Sequence, residues 1–432
     1  MKNLQAYQQS TGLYFLAFTE MWEKFSFFGM RTILVYYMTK QLLFSQGHAS
    51  HIYGLYTGLV YFTPFFGGIL ADKFFGRHRC IIIGSVLMVI GYFLIAVKIK
   101  AVFFLALLLL ILGCGAFTPN ISARVGSLYS LNDGNRDRAF SIFYLGINIG
   151  AFLSPIVCGT LGEVYGWNYG FGAAGVGMII GLLVYFVGQK YLLVSENKEP
   201  YARVLVIENF QGIKSRFTGF VSLLFFMILF RIVYGQQGNT LAVWLDVNTD
   251  RHVFGWEMPA SWFQSFNPLM IMFFTPVITI LWKYQAKYYS EPSSITKIAI
   301  GCTITGFAFI IMALAAYGQA VPSKAHLLWP TICIFLITIG ELYVCPISLS
   351  FVTKIAPRIS SIMLGIWFLS YFIGNYLSGV VGCFWELVPK EVFFLILSIV
   401  AFVAGFGMLA VTRPLFQDTL NKTCQNFTGE TV

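Results

Sequence analysis

Four ionisable residues stand close together in an otherwise apolar part of the chain, the stretch EMWEKFSFFGMR at residues 20–31. On a helix, Glu20, Lys24 and Arg31 fall on one side, and Glu23 lies beside Lys24. Glu20 and Lys24 also have the i, i+4 order that favours an ion pair. Carboxylates held beside a cation in an apolar setting have tunable pKa values, because burial and neighbouring charge both act on them. From the residues alone, we expect this charged face to point towards an interior.

Two more ionisable residues lie inside apolar runs, Arg231 and Glu341. A charged side chain at the centre of a bilayer costs roughly 2.5–3.5 kcal/mol on insertion scales, so such residues usually face an interior and mark a pathway. Arg31 has no carboxylate in its own helix except Glu23, two turns away, and we expect it to pair across the fold or with a ligand. For Glu20 and Lys24, mutual neutralisation that only fixes helix packing is the alternative.

These charges need a scaffold that spans a membrane. The chain of 432 residues is 57% apolar and only 11% charged, whereas soluble domains carry about 25% charged residues. Runs long enough to cross a hydrocarbon core, about 20 residues each, recur along its whole length. We predict twelve spans, at residues 12–38, 50–70, 80–97, 101–122, 139–161, 168–190, 218–237, 262–282, 294–318, 326–353, 360–384 and 391–411. The sequence thus predicts an all-α membrane protein.

The longest polar interval, residues 191–217, divides these spans into two groups of six. We predict an N-terminal bundle (1–190), a cytoplasmic linker (191–217), a C-terminal bundle (218–411) and a cytoplasmic tail (412–432). Two six-helix bundles with a substrate near the midplane are a layout of transporters. Most Lys and Arg between the spans fall on the side of the N-terminus, which predicts that both termini are cytoplasmic. The net charge of +10 is therefore topological, and no nucleic acid partner is expected.

A further motif, GGILADKFFGRHR, lies between the second and third spans at residues 67–79. Asp72 stands at a predicted helix end, and Arg77 and Arg79 follow in the loop, so an ion-pair latch that opens and closes is one interpretation. An ordinary basic loop is the other. The pattern G-x-L-A-D-x-x-x-G-R-x-R resembles the signature of the major facilitator superfamily and implies its fold, with Asp72, Arg77 and Arg79 as a gating latch.

Several blocks, in order, resemble the proton-dependent oligopeptide transporter family. EMWEKFSFFG is similar to that family's E-x-x-E-R-F-x-Y-Y-G signature in the first span. The other blocks are GAFTPNISARVGSLY (115–129), FYLGINIGAFLSPIVCGTLGE (143–163), YGQQGNTLAVW (234–244), SWFQSFNPLMI (261–271), GELYVCPISLSFVTKIAP (340–357) and IWFLSYFIGN (366–375). The resemblance extends over nearly the whole chain.

The resemblance implies roles for individual residues. Glu341 would bind the peptide N-terminus and Arg31 the C-terminal carboxylate, where a bidentate fork is strong. Asn148 and Asn267 would hold the peptide backbone, and Tyr61 and Trp367 would line the pocket. The cluster of Glu20, Glu23 and Lys24 would couple protons. For the two asparagines, interhelical hydrogen bonding is the alternative, and for the two aromatic residues it is packing.

The sequence departs from the family pattern at several of these positions. Lys24 replaces an arginine, and Phe27 and Phe28 replace two tyrosines. Thr118 replaces a lysine of the fourth span, and Gly235 replaces a glutamate of the seventh. One cation and one anion are lost together. Further candidates for the binding site are Phe27, Phe28, Thr118, Arg231 and Gln236. Arg231 would either supply part of the lost cation or extend towards an interface.

The function implied is secondary active uptake of di- and tripeptides, coupled to protons, by alternating access around a central site between the bundles. The alternatives are a carrier of the same fold with other coupling or an altered substrate, and a non-transporting peptide sensor. Small peptides, protons and the lipid bilayer are the expected partners, and a monomer in the bacterial inner membrane is the expected state. No cofactor is expected, since a proton gradient would supply the energy. No enzyme motif, metal-ligand spacing or catalytic residue was identified, so we expect no enzyme.

Overall fold

The computed structural model describes residues 2–129, 135–192, 213–288, 292–318, 324–355 and 360–415. Helices account for nearly all of these residues. Their bounds are α1 Lys2–Tyr36, α2 Gln46–Leu70, α3 Arg77–Ile95, α4 Lys100–Ser127, α5 Asn135–Ser154, α6 Trp167–Leu192, α7 Ile213–Tyr234, α8 Thr240–Asn248, α9 Phe263–Tyr288, α10 Ser294–Tyr317, α11 Leu328–Ile355, α12 Ser360–Gly382 and α13 Lys390–Gly407.

Short irregular segments extend or join the helices. Among the described residues, five are π-helical, at Tyr37–Gln41, Ala71–Phe75, Pro155–Gly159, Leu161–Tyr165 and Met408–Thr412, and three are 3₁₀-helical, at Gly235–Gly238, Ala260–Trp262 and Cys383–Glu386. The strands β1 (His252–Val253) and β2 (Trp256–Glu257) form an antiparallel hairpin in which His252 pairs with Glu257. Phe254 and Gly255 form its turn, both at positive φ.

The described chain contains eleven helices that are long and apolar enough to cross a membrane. The helix α1 is not among them, because Glu20, Glu23, Lys24 and Arg31 interrupt its apolar sequence. With α1 included, each of the twelve predicted spans corresponds to a helix, which confirms the all-α membrane fold. The predicted break at Lys98–Lys100 is also present, since α3 ends at Ile95 and α4 begins at Lys100.

The seventh span was predicted too short. It was expected to end at residue 237, but after the 3₁₀ turn Gly235–Gly238 the chain becomes helical again as α8 and continues to Asn248. Leu241 and Trp244 of α8 are fully buried. The polar, glycine-containing sequence GQQG interrupts the apolar pattern without ending the span.

The chain folds into two compact units, here called unit 1 (Met1–Pro200 with Gly238–Met272) and unit 2 (Tyr201–Gln237 with Phe273–Val432). Residues 238–272 thus group with the N-terminal half of the sequence. Most of the predicted linker 191–217 and of the predicted tail 412–432 lies outside the described residues. The division of the domains at that linker therefore stays a prediction.

Specific hydrogen bonds tie the segment 260–265 into unit 1. The carboxylate of Glu163 accepts from the backbone N–H groups of Ala260 at 2.9 Å and Ser261 at 2.8 Å. Trp262 donates from Nε1 to the Thr160 hydroxyl at 2.8 Å. Because the first N–H groups of a helical segment have no partner within it, a carboxylate at this place satisfies them. These bonds explain why a helix begins here and why its first residues, up to Met272, belong to unit 1.

Each unit has its own apolar core. In unit 1, α1 packs against α5 and α6, and α4 packs against α2 and α3, around buried residues such as Met30, Phe117 and Phe171. In unit 2, α10 packs against α11 and α13, and α7 packs against α12, around Phe230 and Ile298. The ionisable residues of α1 and α7 are thus held by closely packed neighbouring helices.

Candidate functional site

The charged residues of α1 form a buried ion-paired cluster in unit 1. The ammonium of Lys24 lies 2.7 Å from Oε2 of Glu23 and 3.3 Å from Oε1 of Glu20. Glu23 is fully buried, and Glu20 is 1% exposed. One cation between two carboxylates leaves one negative charge uncompensated within this triad. Gain of one proton would make the triad neutral.

Two phenyl rings connect this cluster to Arg31 along the same helix. The Lys24 ammonium lies 5.8 Å from the ring centroid of Phe27, and Phe27 packs edge-on against Phe28 with 5.2 Å between centroids. The guanidinium of Arg31 lies 5.9 Å from the Phe28 ring. Ring faces attract cations, so the two phenylalanines, which replace the family's tyrosines, still contact both cations without hydroxyl groups.

A tyrosine of α2 positions Arg31. Nε of Arg31 donates to the Tyr53 hydroxyl at 2.7 Å, and its guanidinium carbon lies 5.7 Å from the Tyr53 ring centroid. The backbone at Gly238 lies directly against the same hydroxyl, since a Cβ atom there would collide with it and would lie 3.6 Å from Nη2 of Arg31. The bond to Nε does not involve the two terminal amino groups, which form the edge that recognises carboxylates.

The other predicted residues of unit 1 occupy four different helices. Asn148 on α5 is buried and donates to the carbonyl of Tyr144 in its own helix at 2.9 Å. Thr118 on α4 is half-buried and lies 3.3 Å from the sulfur of Cys114. Tyr61 on α2 and Asn267 on α9 are half-buried. Their predicted contacts with a peptide stay predictions.

Unit 2 holds a second buried cation, Arg231 on α7. Its guanidinium carbon lies 3.5 Å from the ring centroid of Tyr371 on α12, and Nη2 lies 3.3 Å from the sulfur of Cys345 on α11. The residue is only 5% exposed. Since its charged end is enclosed by α11 and α12, the idea that Arg231 extends towards a membrane interface is wrong.

The position that carries a glutamate in the family is a close helix contact in this protein. A Cβ atom at Gly235 would collide with the hydroxyl of Ser378 and lie 2.8 Å from its Cβ. Gln236 is fully buried and donates from Nε2 to the carbonyl and hydroxyl of Ser378 at 2.8 and 3.1 Å. The amide nitrogen of this candidate binding residue therefore joins the turn after α7 to α12.

The remaining predicted residues of unit 2 lie on α11 and α12. Glu341 is half-buried and precedes Cys345 by four residues, so both fall on one face of α11. Trp367 is fully buried, 6.0 Å from Tyr371 between ring centroids, and its indole N–H has no hydrogen-bond partner among the described residues. Trp367 is thus part of the packing around Tyr371.

The predicted latch contains one weak ion pair. Nη2 of Arg77 lies 3.7 Å from Oδ1 of Asp72, with the Asp72 side chain 66% exposed. Arg79 is exposed and forms no ion pair within the described part of the chain. A solvent-exposed pair at this distance contributes little to stability. The gating role of these three residues stays a prediction.

Sequence reasoning missed two tyrosines that hold the buried arginines, Tyr53 and Tyr371. Tyr53 lies two turns before Tyr61, so both fall on one face of α2, and this spacing was the available signal. Tyr371 follows Trp367 by one turn in the same way. Among the described residues, no group of three or more His, Cys, Asp or Glu side chains is arranged to hold a metal ion.

The fold and the buried charges define the class: an α-helical membrane protein with ionisable groups in its interior. The profile of the POT family matches residues 78–207 and 195–392. The uncharacterized transporter YclF of Bacillus subtilis is 32% identical, covering 94% of both chains. The peptide transporter YePEPT of Yersinia enterocolitica is 31% identical, covering 85% of this chain and 86% of its own.

The chain belongs to the POT family. A crystal structure of a peptide transporter POT in complex with sulfate superposes with a TM-score of 0.86 at 29% identity, covering 94% of each chain. This similarity over nearly the full length confirms the major facilitator fold that the sequence predicts.

Proposed function

We propose that the protein is a secondary active transporter that takes up di- and tripeptides together with protons. Membership of the POT family and the similarity to a peptide transporter of Yersinia enterocolitica support the substrate class. The single observation that carries the proposal of proton coupling is Lys24 between two buried carboxylates, within one helical stretch that also contains Arg31.

In this proposal, Arg31 binds the carboxylate of the peptide and Glu341 its ammonium group. A proton on the triad of Glu20, Glu23 and Lys24 changes the charge next to Phe27. Because Phe27 and Phe28 connect the triad to Arg31, the electrostatic environment of Arg31 changes as well. Alternating access then links proton entry to peptide entry. The energy comes from the proton gradient, and the reaction needs no cofactor.

The proposed location is the bacterial inner membrane, with both termini in the cytoplasm and the protein acting as a monomer. The bacterial relatives and the helices suited to span a membrane support the location. The excess of Lys and Arg in loops on the side of the N-terminus supports the orientation. Cysteine accessibility at Lys214→Cys and Lys324→Cys in intact cells tests it, since only the second is expected to react with an impermeant reagent.

The deciding experiment is uptake of labelled dipeptides and tripeptides into proteoliposomes, with the internal pH recorded. Peptide uptake with internal acidification is the expected result. Uptake without acidification would remove proton coupling, and no binding or uptake of any short peptide would overturn the proposal.

Two variants separate the roles of the carboxylates. Glu23→Gln should lose accumulation driven by a pH gradient and keep peptide exchange between the two sides. Glu341→Gln should lose binding and both transport modes, because the peptide ammonium has lost its partner. If both variants behave alike, the division into a proton-coupling cluster and a peptide-binding carboxylate is wrong.

A carrier of the same fold with different coupling or an altered substrate is the second candidate. The close contact between Gly235 and Ser378 favours it, since it leaves no space for the family's carboxylate. The same vesicles test this candidate when amino-acid conjugates and modified peptides replace the peptide. A non-transporting sensor would bind peptide without exchange in either direction.

A further inference from the structure

An apolar groove runs along the outside of unit 1. It has a volume of about 650 Å³ and is formed by α1, α3, α5, α6 and the turn at Leu161. Trp22 and Phe25 form its floor, and Leu153, Val157 and Val176 are among its walls. The residues proposed for peptide binding and proton coupling do not line this groove. Trp22 and Phe25, which do, flank Glu23 in the sequence of α1.

The length of the groove matches half of a bilayer. On α6 its lining runs from Asn168 to Ile180, which at 1.5 Å per residue is about 18 Å. The hydrocarbon core of a bilayer is about 30 Å thick, so one leaflet is about 15 Å. An extended chain that enters at one end of α6 would therefore stay within a single leaflet.

The two ends of the groove differ in polarity. At the start of α6, Asn168 and Tyr169 line it, and Tyr165 lies close by with 68% of its side chain exposed. Tyrosines collect at the interface between membrane and water, so this end lies at the level of lipid headgroups. Asn168 is exposed, so its amide is accessible at this end of the groove. Towards Ile180 the lining is apolar.

The walls of the groove are continuous with the surface that faces lipid. Leu153, Val157 and Val176 are 39–49% exposed although they belong to membrane-spanning helices. Apolar side chains exposed at this depth contact the bilayer, so the occupant of the groove comes from the bilayer as well.

We propose that the groove is a binding site for one acyl chain of a bilayer phospholipid, with the headgroup end at Asn168 and Tyr169. The apolar lining, the length of one leaflet, the polar end at the interface and the opening towards lipid all fit this occupant. A lipid bound there contacts Met21 and Trp22 and so supports the α1 turn that carries the ion-paired cluster.

Position 172 offers a direct test, because Gly172 lines the groove and a Cβ atom there would meet no atom within 4 Å. Gly172→Leu therefore places an apolar side chain in the groove, and its Cβ atom meets no protein atom. Val176→Trp fills it from the same helix and is the second variant. Gly68→Leu on α2 is the matched control, since a Cβ atom there also meets nothing within 4 Å and Gly68 lies outside the groove.

The experiment uses the full chain in detergent with a phosphatidylethanolamine that carries a diazirine in one acyl chain. The sample is first diluted with detergent and then illuminated. The covalent adducts of the lipid are mapped by mass spectrometry. We expect retained adducts at Trp22 and Phe25, and a loss of about tenfold in both groove-filling variants, the factor that corresponds to roughly two methylene groups no longer buried. Gly68→Leu should label like the wild type.

Three outcomes would overturn the proposal. Equal labelling of groove residues and of the exposed Phe307 and Leu395 in unit 2 would mean general contact with lipid. Equal labelling by a free fatty acid with the same diazirine would exclude the role of the headgroup. Crosslinks between two copies of the chain at Trp22 would make the groove an interface between subunits.

Discussion

Each unit places an arginine against a tyrosine, but the two pairs use different parts of the tyrosine. In unit 1, Arg31 donates from Nε to the Tyr53 hydroxyl at 2.7 Å. In unit 2, the guanidinium of Arg231 lies over the ring of Tyr371, 3.5 Å from its centroid. A hydrogen bond fixes the direction of the guanidinium plane, whereas a stacked ring mainly compensates its charge. We infer that Arg31 is oriented for recognition and that Arg231 is held for packing.

The units also neutralise cations differently. Lys24 in unit 1 has two buried carboxylates within 3.3 Å. Arg231 in unit 2 has an aromatic face and a thiol, with Glu341 one turn from that thiol on α11. Two carboxylates that share one cation can bind a proton and so change the charge around that cation. The aromatic ring and the thiol beside Arg231 attract its charge only weakly. The comparison therefore supports α1 of unit 1 as the place of the proposed proton coupling.

The largest expected effect is that of Lys24→Met. Removing the cation leaves Glu20 and Glu23 buried without compensation, and breaking a buried ion pair in this way costs about 3–5 kcal/mol. We expect the free energy of unfolding, measured by titration with sodium dodecyl sulfate, to fall by that amount at neutral pH. It should recover in acid, because protonation removes both charges.

The matched variant in unit 2 is Arg231→Met. It removes a cation held by a ring, an interaction worth about 0.5–2 kcal/mol, and its effect should show little dependence on pH. A loss of stability with the same pH dependence as in Lys24→Met would contradict the assignment of proton chemistry to unit 1.

A smaller effect is expected when the two tyrosine hydroxyls are removed. Tyr53→Phe removes a hydrogen bond to a charged group, worth about 1.5–3 kcal/mol, so Arg31 loses its orientation and peptide KM should rise about tenfold or more. Tyr371→Phe keeps the ring face under Arg231, and we expect peptide KM to change less than about threefold, in keeping with a stacked contact. Proteoliposome uptake measures both, and equal effects would mean that the two arginines are held alike.

Much of the fold was predictable because its signals are local. Apolar runs and the i, i+4 spacing of Glu20 and Lys24 depend only on neighbouring residues, and both the helices and the ion pair are present. The length of the seventh span was not predictable in the same way. Burial of Leu241 and Trp244 after GQQG comes from packing within unit 1, which the hydropathy of the segment does not contain.

The candidate site was predictable only in part, for a related reason. Arg31 was identified from its charge, but its partner Tyr53 lies 22 residues away on another helix. The sequence shows that Gly235 replaces the family's glutamate. It does not show that Ser378 packs against this position, because Ser378 is far away in the sequence. Residue types can be read along one helix, whereas the side chain that each one meets depends on how helices pack.

A further prediction concerns the contact between the Gly235–Gly238 turn and α12. In Gly235→Ala the new methyl group collides with Ser378, and overpacking of a closed contact costs about 1–3 kcal/mol. The free energy of unfolding should fall by that amount. Ser378→Gly removes the colliding atoms, so the double variant should be more stable than the sum of the single effects predicts, as a double-mutant cycle measures. Strict additivity would show that α12 has room, and then Gly235→Glu would be expected to restore the family's carboxylate without loss of stability. With the contact closed, we expect Gly235→Glu to destabilise the turn that follows α7 and to leave proton-driven uptake unchanged.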